Sequence, residues 1–187
     1  YYKNLQKRWV FLKHKYELKN QYVTPIQFFK LRPDNFPTIR LAQLAQLYHL
    51  KHSLFSEIIK ANSLDELYAI FKNDTSLYWK NHYNFDKESI SKSKNLSTSF
   101  IDLLIINTII PIKFLYASSN GKDSVEELIE LISQIKPEKN AIIDKFTFYK
   151  IKSKNAFDTQ SLIQLKNEYC NQKKCLQCNI GLALLKN

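Results

Sequence analysis

Three cysteines, Cys170, Cys175 and Cys178, form a C-x4-C-x2-C array close to the end of a 187-residue chain that contains no other cysteine. The stretch Tyr169 to Gly181 is the densest set of potential metal ligands in the protein. Cys175 and Cys178 are three apart, so in a first helical turn they face the same way. Cys170 reaches them across Asn171–Lys174. A helix N-terminus, Lys173 and Lys174 all favour thiolate over thiol, which is the form that binds metal. Zinc takes four ligands, commonly three cysteines and a histidine. His82 is the first choice for the fourth, with His14, His49, His52, a water or a carboxylate in competition. Three cysteines and one other ligand also suit an iron–sulfur cluster. A disulfide would leave one cysteine over, and nothing in the sequence signals an oxidising compartment. Three inert buried thiols is the remaining reading.

A second set of residues points to anions. Arginine occurs three times against twenty-five lysines, and Arg32 and Arg40 bracket Leu31-Arg32-Pro33-Asp34-Asn35-Phe36-Pro37-Thr38-Ile39-Arg40, a loop stiffened by two prolines. A chain that otherwise uses lysine keeps arginine where a planar fork of donors is needed. Either the two guanidiniums clamp phosphate or carboxylate, or they tie the loop to carbonyls and acids of the same fold. With Lys30 and the lysines of the first helix, Lys7 among them, they make a candidate nucleic-acid or anion-binding face. The net charge of +11 is uneven: residues 1–60 hold eleven Lys or Arg against three acids. Such a field attracts nucleic acid first, although lysine-rich composition also serves solubility.

The elements that must position these groups read as helices. Hydrophobic residues at 44% and aromatics at 13% exclude a disordered chain. Only Gly121 and Gly181 are glycine, too few for the turns and bulges of a β-rich fold. Leu5, Trp9, Leu12 and Tyr16 recur at helical spacing in Tyr2–Lys19 and predict a core-facing stripe there rather than a stacking platform. Thr24-Pro25 suits the start of a short apolar turn through Phe29. A helix entered at Asn35 or Phe36 runs to about Leu50, with Leu41, Leu44, Ala45 and Tyr48 inward. Ser63 with Glu66 forms a capping box. Residues 84–97 read as an exposed loop. Phe100 to Tyr116, broken by Asp102, Asn107, Pro111 and Lys113, is too short and polar to span a bilayer and reads as a buried, kinked helix. Asp102 and Asn107 must find partners there. Helices led by Asp123 and by Pro137 follow, and Asp158 opens the last long helix, Thr159 to Tyr169.

Four stretches resemble a bacterial domain-of-unknown-function family, number 2851. They are Leu31 to Ala45, Ile101 to Thr108, Gln160 to Cys170 and Cys175 to Leu185. The resemblance implies that the chain is the C-terminal portion of a longer protein, which agrees with the lack of methionine. It implies no activity, cofactor or catalytic residue. The expectation is therefore a single all-α domain over residues 1–187, an irregular multi-helix bundle with a cysteine-pinned C-terminal helix pair. No nucleophile–base motif, glycine-rich phosphate loop or paired-acid signature is visible. The functional expectation is a cytoplasmic, non-catalytic module with a metal site, zinc or iron–sulfur, that binds nucleic acid for an upstream domain and has no membrane partner. The alternative is a structural or protein-interaction domain.

Overall fold

Proline and short polar side chains decide where the helices begin. The computed structural model describes residues 1–19, 21 and 23–185. Among them the protein is all-α apart from one small hairpin. The chain divides into two compact units, Tyr1–Leu54 with Ile70–Ser97, and Phe55–Ala69 with Thr98–Asn187.

In the first unit, α1 spans Tyr2–Lys15 and buries no residue. The expected core stripe Leu5, Trp9, Leu12 and Tyr16 faces solvent. Among the described residues, ring contacts tie down the start of the helix: the Tyr1 ring stacks on Tyr78 at 3.9 Å, and Tyr2 meets Phe85 at 4.8 Å. Thr24–Phe29 forms no helical turn. Pro33 starts a 3-10 turn over Pro33–Asn35, and Pro37 occupies the first position of α2, Pro37–Leu50. The inward row of α2 is Ile39, Ala42, Gln43 and Leu47, whereas the expected Leu41, Leu44, Ala45 and Tyr48 point outward. Ile39 and Ala42 pack with Trp79 of α5, Leu77–Lys80, under Phe36, Tyr78, Tyr83 and Phe85. The short strands β1, His82–Asn84, and β2, Lys87–Glu88, pair antiparallel, with Asp86 in the left-handed conformation at φ 56. Residues 84–97 are therefore not a free loop: Ser89 and Lys92 donate backbone bonds to Asn81 and Lys80, and Lys94 is buried.

The elements α3 (Leu54–Lys60) and α4 (Leu64–Phe71) lie in the second unit except for Leu54, Ile70 and Phe71, and the capping box of α4 forms with the Glu66 carboxylate bonded one residue before Ser63. The Glu66 N–H donates to Ser63 Oγ at 3.3 Å, and its carboxylate accepts from the Asn62 N–H at 2.7 Å. Next comes one continuous helix over Thr98–Ser119, made of α6 (Thr98–Leu104), a π-helical segment Ile105–Ile109 and α7 (Ile110–Ser119). The wide turn precedes Pro111, where the ladder lacks a donor. Asp102 accepts from Tyr68 Oη at 2.6 Å, and Asn107 Nδ2 donates to the Leu103 carbonyl at 2.9 Å, so both polar groups are satisfied. Burial first, and Asp102 second, raise the Tyr68 phenol. Lys113 Nζ donates to the carbonyls of Ile58, Ile59 and Ala61 at 3.2, 2.8 and 2.7 Å, capping the end of α3. By length and composition this 22-residue helix is able to cross a membrane, a test that core helices of water-soluble proteins also pass. The expected burial holds for α6 and the π-helical segment, which bury Ile101, Ile105, Ile106 and Ile109, but not for α7, which buries no residue.

The remaining helices are α8 (Val125–Ser133), α9 (Ala141–Phe148), α10 (Ala156–Gln164) and α11 (Asn179–Leu185). Leu128, Leu131, Ile132, Ile135, Ile143, Ala156 and Thr159 are buried. Asn140 and Asn155, rather than Pro137 and Asp158, cap α9 and α10.

Candidate nucleic-acid interface

The proline loop and the start of α2 hold Arg40 in a closed network. Its Nη2 donates to Asn35 Oδ1 at 2.6 Å and its Nη1 to Gln43 Oε1 at 3.0 Å. Gln43, on the buried row of α2, passes the chain on by donating Nε2 to the Lys94 carbonyl at 2.7 Å. Burial depresses the Arg40 guanidinium, with the charge of Asp34 opposing. Arg40 thus makes internal ties of the kind the second reading of the arginines expects. Arg32 stands at the surface, with its carbonyl accepting from the Asn35 N–H at 2.8 Å.

Lys94 is the residue that sequence reasoning missed. It is 4% exposed, although it sits in a serine–lysine run with no apolar neighbour to announce burial. Its Nζ donates to the Lys80 carbonyl at 2.7 Å and lies 4.2 Å from the centre of the Tyr83 ring. Burial pushes its ammonium below the ordinary lysine value. Its backbone N–H donates to Asp74, which also accepts from Thr75 and pairs with Lys80 at 3.3 Å. Asp34, Arg40, Lys92 and Lys94 line a cleft of about 280 Å³. Lys92 Nζ donates to Asp34 at 3.0 Å and, as the largest cause, holds that carboxyl below its ordinary value; burial opposes and the Tyr83 hydroxyl assists. The cleft holds one acid, Asp34, paired with Lys92, against three cations, Arg40, Lys92 and Lys94.

Further exposed cations lie elsewhere among the described residues of this unit. Lys3, Lys7, Arg8, Lys13 and Lys15 are all exposed on α1, which carries no acid, and Lys30 and Arg32 are exposed in the loop. Exposed rings stand among them. Lys15 Nζ lies 6.0 Å from the Phe11 ring centre and 5.1 Å from that of Tyr16, and Lys30 Nζ lies 5.1 Å from that of Phe29. Lys30 adopts a left-handed backbone at φ 60, unusual for a residue with a Cβ.

The family model described as "Protein of unknown function (DUF2851)" matches residues 1–141. The chain belongs to the DUF2851 family. The match takes in Leu31–Ala45 and Ile101–Thr108 and stops before the cysteine array. No curated protein and no solved structure matches the chain.

The proposed metal ligands of this DUF2851 member are placed as follows. α10 continues as a π-helical segment, Leu165–Cys170, and a turn leads to a 3-10 turn, Cys175–Gln177, and α11. A Cβ on Gly181 would overlap the Cys175 carbonyl oxygen, so the close approach of α11 to this turn requires glycine. Cys170 and Cys175 are exposed and Cys178 is buried. Cys175 opens the 3-10 turn and Cys178 follows it with extended dihedrals, φ −106 and ψ 125, so the two do not sit in one α-helical turn. Among the described residues no group of three or more His, Cys, Asp or Glu side chains is arranged to hold a metal ion. His82 belongs to the first unit and is buried, its ring stacked on Tyr78 at 3.9 Å. Its Nδ1 lies 2.8 Å from the Tyr78 carbonyl and 2.9 Å from Asn81 Oδ1. A carbonyl only accepts, so Nδ1 is the donor to it.

Proposed function

We propose that this DUF2851 chain is a helical binding module whose first unit holds nucleic acid through the cationic surface of α1 and the following loop. The observation that carries the reading is α1 itself: five cations, no acid and no buried residue in fourteen positions. A helix that buries no residue yet carries this charge is suited to a polyanion, whose condensed counterions are released as lysines replace them. Lys7, Lys30 and Arg32 belong to this surface, and Arg40 supports the loop from behind. The cysteine-centred metal has no gathered donor set among the described residues and is not part of the proposal.

Oligonucleotide binding measured against salt tests the reading. The logarithm of affinity should fall linearly with the logarithm of salt concentration, by about 0.7–0.9 per phosphate contact. Lys7→Ala and Lys13→Ala should flatten that slope and leave the thermal melt unchanged. No binding at low salt by the intact protein would end the proposal. The rival reading, a protein-interaction module, rests on the outward Leu41, Leu44 and Tyr48 of α2. Sedimentation showing self-association that Leu44→Asp abolishes would favour it.

A further inference from the structure

We infer that the nucleic acid held by this surface is single-stranded and that exposed aromatic rings, not lysines alone, grip it by stacking on unpaired bases. The inference rests on the nucleic-acid reading above and adds the class of ligand. Phe11 is 62% exposed, Tyr16 60%, Trp9 45% and Phe29 79%. All four stand in or beside the cationic segment of the first unit, and burying so much ring surface is worth more than leaving it in water. Lys7, Phe11 and Lys15 stand at successive four-residue steps of α1, which puts them in one row on the helix surface. The row reads cation, ring, cation. Lys15 Nζ near the Phe11 and Tyr16 rings, and Lys30 Nζ near Phe29, show the same alternation in the side chains.

This alternation matches a single strand, whose phosphates and bases are both accessible and alternate along it. A duplex hides its base faces in the stack, so it would engage the lysines and leave the rings in water. Groove reading relies on arginine forks and amide side chains at base edges, and this chain has three arginines, of which Arg40 is tied to Asn35 and Gln43. A lipid surface would favour strict segregation, with rings on one face and cations on the other. Leu5, Trp9, Leu12 and Tyr16 do share one face of α1, but Phe11 falls on the opposite side within the Lys7–Lys15 row.

The test uses the 187-residue chain with fluorescein-labelled single-stranded DNA, single-stranded RNA and the matching DNA duplex, read by anisotropy at low salt. Single strands should bind at least about tenfold more tightly than the duplex, since one base–ring stack is worth roughly that factor. Phe11→Leu and Phe29→Leu should each weaken single-strand binding by about tenfold without changing the salt slope, and Phe11→Tyr should restore it. These rings are exposed, so circular dichroism and melting should be unchanged; a variant that melts early is replaced by Tyr16→Leu. Salt-dependent binding that is equal for duplex and single strand, or indifferent to the ring substitutions, overturns the stacking inference while keeping the nucleic-acid reading. Absence of binding to every oligonucleotide overturns both. Ring-dependent binding to vesicles containing phosphatidylserine, with no oligonucleotide bound, would make α1 an interfacial helix and overturn both as well.

Discussion

Replacing Arg40 by lysine separates an internal tie from a phosphate clamp. In the structure the guanidinium donates through Nη2 to Asn35 at 2.6 Å and through Nη1 to Gln43 at 3.0 Å. An ammonium at the end of a lysine stem is a single point and cannot reproduce both prongs. The variant therefore loses at least one charge-assisted bond, and the side most exposed to loss is Gln43 Oε1, on a buried residue whose Nε2 is already committed to the Lys94 carbonyl. A hydrogen bond to a charged group contributes about 1.5–3 kcal/mol, and partial exposure of Arg40 trims this to about 1–2 kcal/mol. For a chain of this length that is a fall in melting temperature of about 2–8 °C. Thermal melts followed by circular dichroism, run beside oligonucleotide titrations, give both readouts. The expected result is a lower melting temperature with affinity unchanged at temperatures where the variant is folded. An unchanged melt together with a tenfold loss of affinity would show that Arg40 faces a ligand, and the network reasoning would be wrong.

Lys113→Met should destabilise the protein by about 2–3 kcal/mol, because the same stem remains but three carbonyls at the end of α3 lose their charged donor; a urea midpoint equal to the parent's would refute this. Gly181→Ala should cost about 1–3 kcal/mol through collision with the Cys175 backbone, read as a lowered melting temperature. Asp34 and Asp74 are both held below 3.8, Asp34 chiefly by Lys92; burial, the largest influence on Asp74, would raise it, but bonds from Lys94, Thr75 and Lys80 outweigh that. The unfolded chain therefore takes up protons first, so stability should fall as pH drops through about 3.8 and below; Asp74→Asn should remove part of that acid dependence. With an aromatic disulfide reagent, Cys170 and Cys175 should react fast and Cys178 only on unfolding, as their exposure dictates. Protection of all three thiols by equimolar zinc would show instead that the array closes around an ion.

Local chemistry was legible in the sequence wherever the partner was near in the chain or the demand was absolute. The Ser63–Glu66 box formed because its groups lie within one helical turn. Asp102 had to be paired because a carboxylate in an apolar helix has no cheap alternative, although only the fold reveals that Tyr68 pairs with it. Scarce glycine correctly excluded a β-rich fold. What periodicity could not give is direction. In α2 apolar side chains occupy both sides, so spacing identifies two candidate rows but not the buried one. The choice fell to the row containing Gln43, because its amide joins Arg40 to the Lys94 carbonyl, a link that spans 51 residues and leaves no mark on local sequence.

The same limit explains α1 and the cysteines. The stripe Leu5–Trp9–Leu12–Tyr16 shows which residues share a face, and a shared face can be covered by the protein's own core or offered to something else. Composition carried the missing information: five cations and no acid leave α1 with a field that a core-packed helix does not need. For Cys175 and Cys178 the spacing argument assumed a regular helical turn. The turn is 3-10 over Cys175–Gln177 rather than the start of an α-helix, and one thiol is exposed while the other is buried. Spacing therefore predicts a shared ligand face only where the backbone between the ligands is already known to be regular. In this chain the close approach that Gly181 permits, with α11 seated against the Cys175 carbonyl, leaves the intervening turn short and irregular.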